Sequence, residues 1–179
     1  MILVTVGSMF PFDRLVRAVD DLVASGEIVD EVVAQIGSGR YEPCAMRFER
    51  YMEKQPFDEL LARADVIVSH AGIGSIATAL RFGKPMLVLP RLRRHAEHVN
   101  DHQLATAQRY EALGHVLAAR DESELAAKLA LARSFRPLPR HVDAAGLAGR
   151  VGRYLEDRLA AHRGAVPDIP NPGKEGTNR

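Results

Sequence analysis

Asp65-Val-Ile-Val-Ser-His-Ala-Gly-Ile-Gly-Ser-Ile-Ala-Thr-Ala-Leu-Arg-Phe-Gly83 is the stretch on which the reading of the whole chain turns. Val66, Ile67 and Val68 form a short β-branched run, suited to a strand covered on both faces. Gly72 and Gly74 are read as the residues that let the backbone turn sharply and approach something closely. Ser75 to Phe82 has helical spacing, and Gly83 before Pro85 is a natural stop. A strand, glycines and a helix N-terminus leave unpaired N–H groups converging on one spot, which attracts a phosphate or diphosphate. His70 sits at the carboxyl end of the strand, beside that spot. On spacing alone, the same residues are equally an ordinary tight βα turn with a histidine next to it.

Outward from this unit, strands alternate with helices. Ile2 to Gly7 reads as a strand, and Phe12 to Ser25 as a helix with Leu15, Val16, Val19, Leu22 and Val23 on one stripe. Glu31 to Ile36 and Ala45 to Met52 are further strands, and Phe57 to Arg63 is a short helix. After the central unit come a strand at Met86 to Leu89, a polar stretch from Arg91 to Gln103 and a helix from about Asp101 to Leu113. His115 to Ala118 is a short strand. A helix from Asp121 to Arg133 is opened by an Asp121/Glu124 variant of the capping box. A last helix is expected over Ala144 to His162, with Leu147, Val151, Leu155 and Leu159 as an apolar stripe. The pattern predicts a parallel α/β sheet of Rossmann-like build with helices on both faces. One domain is expected over residues 1–163, and residues 164–179, rich in Gly, Pro and charge, are expected to be a disordered tail. Ligands of such sheets bind outside the carboxyl ends of the strands. That rule gathers the turn after Gly7, the Gly37-Ser-Gly39 turn, residues 70–75 and residues 91–103 along one edge.

Composition narrows the function. A net charge of +1 over 179 residues argues against a general nucleic-acid binder, and a single cysteine, Cys44, excludes an internal disulfide. No apolar run approaches the roughly 18 residues of a membrane span. Nor does a basic region precede the N-terminal apolar stretch, so no signal peptide is expected there. A cytoplasmic protein follows from this reading.

Three constellations stand out. Gly7-Ser8 follows the first strand as a second phosphate-facing turn or, more simply, as a plain βα loop. The dinucleotide pattern lacks its third glycine and its acidic residue, so a nicotinamide site is poorly supported. Arg91, Arg93 and Arg94 read as cations for a phosphate or an acidic surface, or equally as a solvated basic loop. His98 and His102, four apart, could share a helix face as zinc ligands, but no third ligand stands at zinc spacing and no metal is expected.

Val4-Thr-Val-Gly-Ser8, Phe12-Asp-Arg-Leu15, Ser69-His-Ala-Gly-Ile-Gly-Ser75, Gly83-Lys-Pro-Met-Leu-Val-Leu-Pro-Arg91 and Asn100-Asp-His-Gln103 occur in this order over residues 1–120. Together they resemble the C-terminal domain of family-28 glycosyltransferases, above all its small single-domain members. These include subunits of lipid-linked oligosaccharide and exopolysaccharide synthesis.

The resemblance implies the donor-binding half of a GT-B glycosyltransferase, so that residues 1–163 form a UDP-sugar-binding half domain. Gly7, Ser8, His70, Gly72, Gly74 and Ser75 then face the diphosphate, and Asp101, His102 and Gln103 face the donor sugar. Thr78 stands where several family members carry a glutamate that holds the ribose hydroxyls, and a threonine cannot make that bidentate contact.

The donor sugar would be N-acetylglucosamine or glucuronic acid. Transfer would be inverting, to a polyprenyl-diphosphate-linked acceptor. No cofactor or metal is implied. The missing acceptor-binding half implies a membrane-anchored partner subunit that would hold this chain at the inner face of the membrane. The catalytic candidate of this chain is His70, with the general base otherwise left to the partner. A non-catalytic nucleotide-sugar-binding or regulatory module is the alternative, and Thr78 is its main support.

Overall fold

A computed structural model of the chain describes residues 1–139 and 144–163. The chain divides into two compact units, Met1–Arg140 and His141–Arg179. The tail expected at 164–179 lies outside the described residues.

Six strands build the first unit: β1 (Ile2–Thr5), β2 (Val32–Gln35), β3 (Arg47–Glu49), β4 (Val66–His70), β5 (Met86–Leu89) and β6 (Leu117–Ala118). All pairings are parallel, in the order β3-β2-β1-β4-β5-β6. The helices are α1 (Asp13–Ala24), α2 (Lys54–Arg63), α3 (Ile73–Arg81), α4 (His102–Ala112) and α5 (Leu125–Ala132). In the second unit, α6 spans Ala144–Arg163, and Val151, Leu155 and Leu159 of its expected stripe are exposed.

Strand periodicity sorts the core into two layers. Val4, Val68, Leu87 and Leu89 point to one face, with Leu15, Val16 and Val19 of α1 and Leu125 and Leu129 of α5. Leu3, Ile67, Met86 and Val88 point to the other, with Leu61 of α2, Ile76 and Ala79 of α3, and Ala107 of α4. These strand residues are buried on both faces of the sheet, which is why β4 and β5 read as continuous apolar runs rather than as alternating ones.

The order reverses at β1 and β4. The chain leaves β1 toward α1 on one face and leaves β4 toward α3 on the other. Their connections diverge and open a crevice at the carboxyl ends of the two strands, the topological switch point of such sheets.

Local chemistry moves several boundaries. α2 begins at Lys54, a turn before the expected Phe57, because Pro56 falls in the first turn, where a missing N–H breaks no bond. Asp58 is therefore a full turn inside the helix, where it pairs with Lys54. α3 begins at Ile73, so Gly72 is its N-cap and Gly74 lies inside its first turn. Neither glycine has positive φ, so the sharp turn expected of them is not made by left-handed backbone. The segment from Asp121 opens with a 3₁₀ turn, Glu122–Glu124, before α5. There the Asp121 carboxylate accepts from Ser123 N at 3.0 Å and that of Glu124 from Arg120 N at 2.9 Å. A 3₁₀ turn at Arg93–His95 has no counterpart in the sequence pattern.

Candidate functional site

Two connections meet in the crevice. The one after β1 carries Gly7 and Ser8, and the one after β4 runs from His70 to Gly72. Gly7 takes φ +77°, and a Cβ there would stand 2.8 Å from His70 Cε1. A Cβ at Gly72 would stand 2.3 Å from His70 Nε2. The imidazole thus fills the space that two glycines leave free, one from each connection.

Its tautomer follows from its neighbour. The Ser69 hydroxyl donates to Thr5 O at 2.6 Å, and the same oxygen lies 3.1 Å from His70 Nδ1. With the hydroxyl hydrogen committed, Nδ1 donates and Nε2 is left as an acceptor. Burial first, then the positive field of Arg91, push the His70 pKa down to about 4. The side chain at this edge is therefore a neutral imidazole.

Arg91 corrects the reading of a solvated or anion-facing basic loop. It is 2% exposed, and its guanidinium donates at 2.6 Å to both Val6 O and Phe10 O and at 3.4 Å to Pro11 O. It ties the end of β5 to the connection after β1. Burial lowers its pKa to about 10, so it remains a cation at neutral pH.

Two cavities open on the crevice. The first, about 270 Å³, is walled by Thr5, Gln35, Tyr51, Met52, Phe57 and Thr78, with Leu61, Ile67 and Met86 beneath. The second, about 350 Å³, is lined by Phe10, His70, Arg91, His98 and Gln103. Gly7, Ser8, Gly74 and Ser75 line both. The turn after β1 and the first turn of α3 therefore form a bridge between an apolar-floored cavity and a histidine-lined one. A Cβ on Gly74 would meet no atom within 4 Å, so the α3 N-terminus is open to a ligand.

The remaining sequence candidates divide. Thr78 faces the first cavity, with its hydroxyl donated to Gly74 O at 2.9 Å. Gln103 faces the second and is 3% exposed, and its Oε1 accepts from Arg91 N at 3.1 Å. Gly72, Asp101 and His102 line neither. Gly72 makes room for His70 instead. The Asp101 carboxylate accepts from Arg93 N at 2.7 Å, and exposed His102 pairs through Nδ1 with Asn100 Oδ1. His98 stands in the connection before α4, so it shares no helix with His102; the two rings meet edge to face at 4.5 Å. Among the described residues no group of three or more His, Cys, Asp or Glu could hold a metal ion.

Sequence reasoning missed Tyr51, Met52 and Phe57. The rule of carboxyl ends would have reached Tyr51 and Met52, which lie just beyond β3. Gln35 also lines the first cavity, but its amide is spent internally: Oε1 accepts from Thr5 Oγ1 at 2.8 Å, and Nε2 donates to Gly7 O at 3.2 Å and Arg50 O at 3.0 Å. It holds Gly7 in place.

Fold and crevice together define a Rossmann-like α/β domain with two cavities at its switch point. Residues 1–145 match the glycosyltransferase family 28 C-terminal domain, and the chain belongs to that family. It is 34% identical over 122 residues to the mouse (Mus musculus) UDP-N-acetylglucosamine transferase subunit ALG13, covering 63% of this chain and 10% of that protein. The subunit of the same name from Eremothecium gossypii is 48% identical over 81 residues, covering 42% of this chain and 37% of that protein. The matches thus span well under half the length of these relatives. Among solved structures, the solution structure of ALG13 superposes with a TM-score of 0.53 at 21% identity, covering 84% of this chain and 93% of that one. The glycotransferase of kitacinnamycin gives 0.57 at 24% identity, covering 74% and 34%. These likenesses place the fold with the GT-B glycosyltransferases.

Proposed function

We propose that the chain is the donor-binding, catalytic subunit of an inverting glycosyltransferase. It moves a sugar from a UDP-sugar, UDP-N-acetylglucosamine or UDP-glucuronic acid, to a polyprenyl-diphosphate-linked acceptor in lipid-linked glycan or polysaccharide synthesis. One observation carries the reading: the bridge of Gly7, Ser8, Gly74 and Ser75 separates two cavities of different chemistry. A nucleoside diphosphate sugar has the same three-part plan. Its base and ribose suit the first cavity, its diphosphate the bridge, and its sugar the second.

In the reaction the acceptor hydroxyl attacks the anomeric carbon as the bond to the diphosphate oxygen breaks, and UDP leaves with the bonding electrons. The negative charge growing on the diphosphate meets the free N–H groups at the start of α3, which are already oriented before the reaction. The Arg91 cation beneath adds to the same field. The hydroxyl proton passes to a base, either neutral His70 through Nε2 or a group on a partner. The residues present supply this stabilisation without a metal.

The relatives named above are called subunits, which supports a partner that binds the acceptor. Among the described residues no helix is long and apolar enough to cross a membrane. In this reading the partner is membrane-anchored and holds the chain at the cytoplasmic face. A second reading, a non-catalytic nucleotide-sugar module, is favoured by Thr78, whose hydroxyl is tied to Gly74 O and offers the ribose no carboxylate.

Calorimetry with UDP, CDP and GDP tests the donor assignment, with UDP expected to bind most tightly. UDP release, measured with and without a co-expressed acceptor-binding subunit, separates the two readings. Release only with the partner supports the enzyme. UDP binding without release in either case supports the module.

A further inference from the structure

His98 has the one buried side-chain polar atom without a hydrogen-bond partner among the described residues, its Nδ1. Such atoms are rare in folded proteins, because a buried polar group loses its water without recompense. The ring around it is held by edges alone. It meets Phe10 at 5.1 Å and His102 at 4.5 Å between centroids. Turning it about the Cβ–Cγ bond therefore breaks no hydrogen bond at Nδ1.

The backbone beneath is anchored. The Glu97 carboxylate accepts from Arg14 at 2.7 and 2.9 Å and from Leu92 N at 2.9 Å. His98 is thus a side chain with an unspent nitrogen on a fixed stretch of chain. Its place is also particular. Among the described residues, His98 and Phe10 alone line both the second cavity and an open groove of about 370 Å³ that includes Pro11, Arg93 and Val99. They stand where the second cavity meets this groove.

We propose that His98 is a specificity-determining residue that hydrogen-bonds a hydroxyl of the transferred sugar where the second cavity meets the groove. This assignment rests on the UDP-sugar reading of the site. Burial, then His102 and Arg91, hold the His98 pKa below its ordinary value, so the ring is neutral at pH 7. A neutral imidazole both donates and accepts, as a sugar hydroxyl does, whereas a phosphate would call for a cation.

The test compares dissociation constants for UDP, UDP-N-acetylglucosamine and UDP-glucuronic acid by calorimetry. His98→Phe keeps a ring of similar size without nitrogens, and His98→Gln restores a donor and an acceptor. The ratio of UDP-sugar to UDP dissociation constants is expected to rise about tenfold in His98→Phe, the size of one lost hydrogen bond. It should fall back toward wild type in His98→Gln.

In the unmutated protein, the His98 ring signals in NMR should shift with the UDP-sugar and stay in place with UDP, a readout that needs no variant to fold. A ratio that stays constant, whether both ligands weaken together or neither does, overturns the assignment. So do ring signals that ignore the sugar. If the wild type does not bind UDP at all, the UDP-sugar reading falls, and this assignment with it. UDP binding with an unmoved ratio removes the His98 assignment alone.

Discussion

The imidazole of His70 occupies the side-chain space of Gly72: a Cβ at position 72 would stand 2.3 Å from Nε2 and 2.8 Å from Cδ2. On its other side the ring lies against Gly7, where an added Cβ would stand 2.8 Å from Cε1. Gly72→Ala is therefore expected to displace the ring from Ser69 and toward the second cavity. Overpacking of this kind costs about 1–3 kcal/mol. Urea unfolding should show that loss, and UDP affinity should fall with it. A variant as stable as wild type would mean that the two glycines do not hold the ring.

The same burial gives His70 a pH signature. Its folded pKa is about 4, against an unfolded value near 6.5. Between those values the unfolded chain binds more protons, so stability falls as pH drops through this window and is flat above it. Allowing for the partly exposed edge of the ring, the loss is about 2 kcal/mol. His98, pushed in the same direction, adds to the slope. Unfolding free energies measured from pH 7.5 to 4.5 should decline more steeply for wild type than for His70→Gln. Identical slopes would count against a buried neutral ring.

Arg14 and Glu97, 11% and 8% exposed, join α1 to the connection that carries His98. Arg14 also donates to Glu122 and Pro90 O. Burial opposes its charge, but the two glutamates outweigh that, and its pKa is raised. Arg14→Leu leaves the Glu97 carboxylate buried without its main partner, and a loss of about 3 kcal/mol is expected. The double variant Arg14→Leu/Glu97→Leu should recover part of it, because no lone charge remains. A double-mutant cycle measured by urea unfolding checks the sign of that coupling.

How much of this was legible in the sequence follows from the range of each interaction. β4, β5 and the strand–turn–helix unit were readable because their signals are local: β-branched runs, a glycine stop, a capping carboxylate. The switch point was readable as a rule about parallel sheets. Arg91 was not. Its partners at Val6, Phe10 and Pro11 are some eighty residues away, and a guanidinium that binds carbonyls looks in sequence like one awaiting an anion. Asp101 and Gln103 were legible only in part, since Gln103 does line the second cavity. Their polar ends serve Arg93 N and Arg91 N, so a motif that looks exposed is partly spent on its own loop. Gly72 was read as a place of close approach, and the side chain that comes close to it is that of His70. The first cavity was half invisible because Tyr51 and Met52 follow a short edge strand with little pattern of its own.

Gly74 separates the ligand from the fold most cleanly. Its φ is not positive, and an added Cβ has open space around it, so a side chain at this position meets no obstacle at its first carbon. Inside the first turn of α3, valine is at least as favourable as glycine, by a few tenths of a kcal/mol. The protein should therefore keep its melting temperature. Yet the new side chain stands at the bridge between the two cavities, over the N–H groups to which the diphosphate is assigned. UDP affinity is expected to fall by about a hundredfold or more in Gly74→Val, equivalent to about 2.7 kcal/mol. Gly74→Ala, with one carbon, should fall between. Calorimetry beside thermal unfolding distinguishes the outcomes. A folded Gly74→Val that binds UDP as wild type does would move the diphosphate away from the α3 N-terminus. A loss of UDP binding that tracks a loss of fold would show that Gly74 matters for packing, against the open space around it.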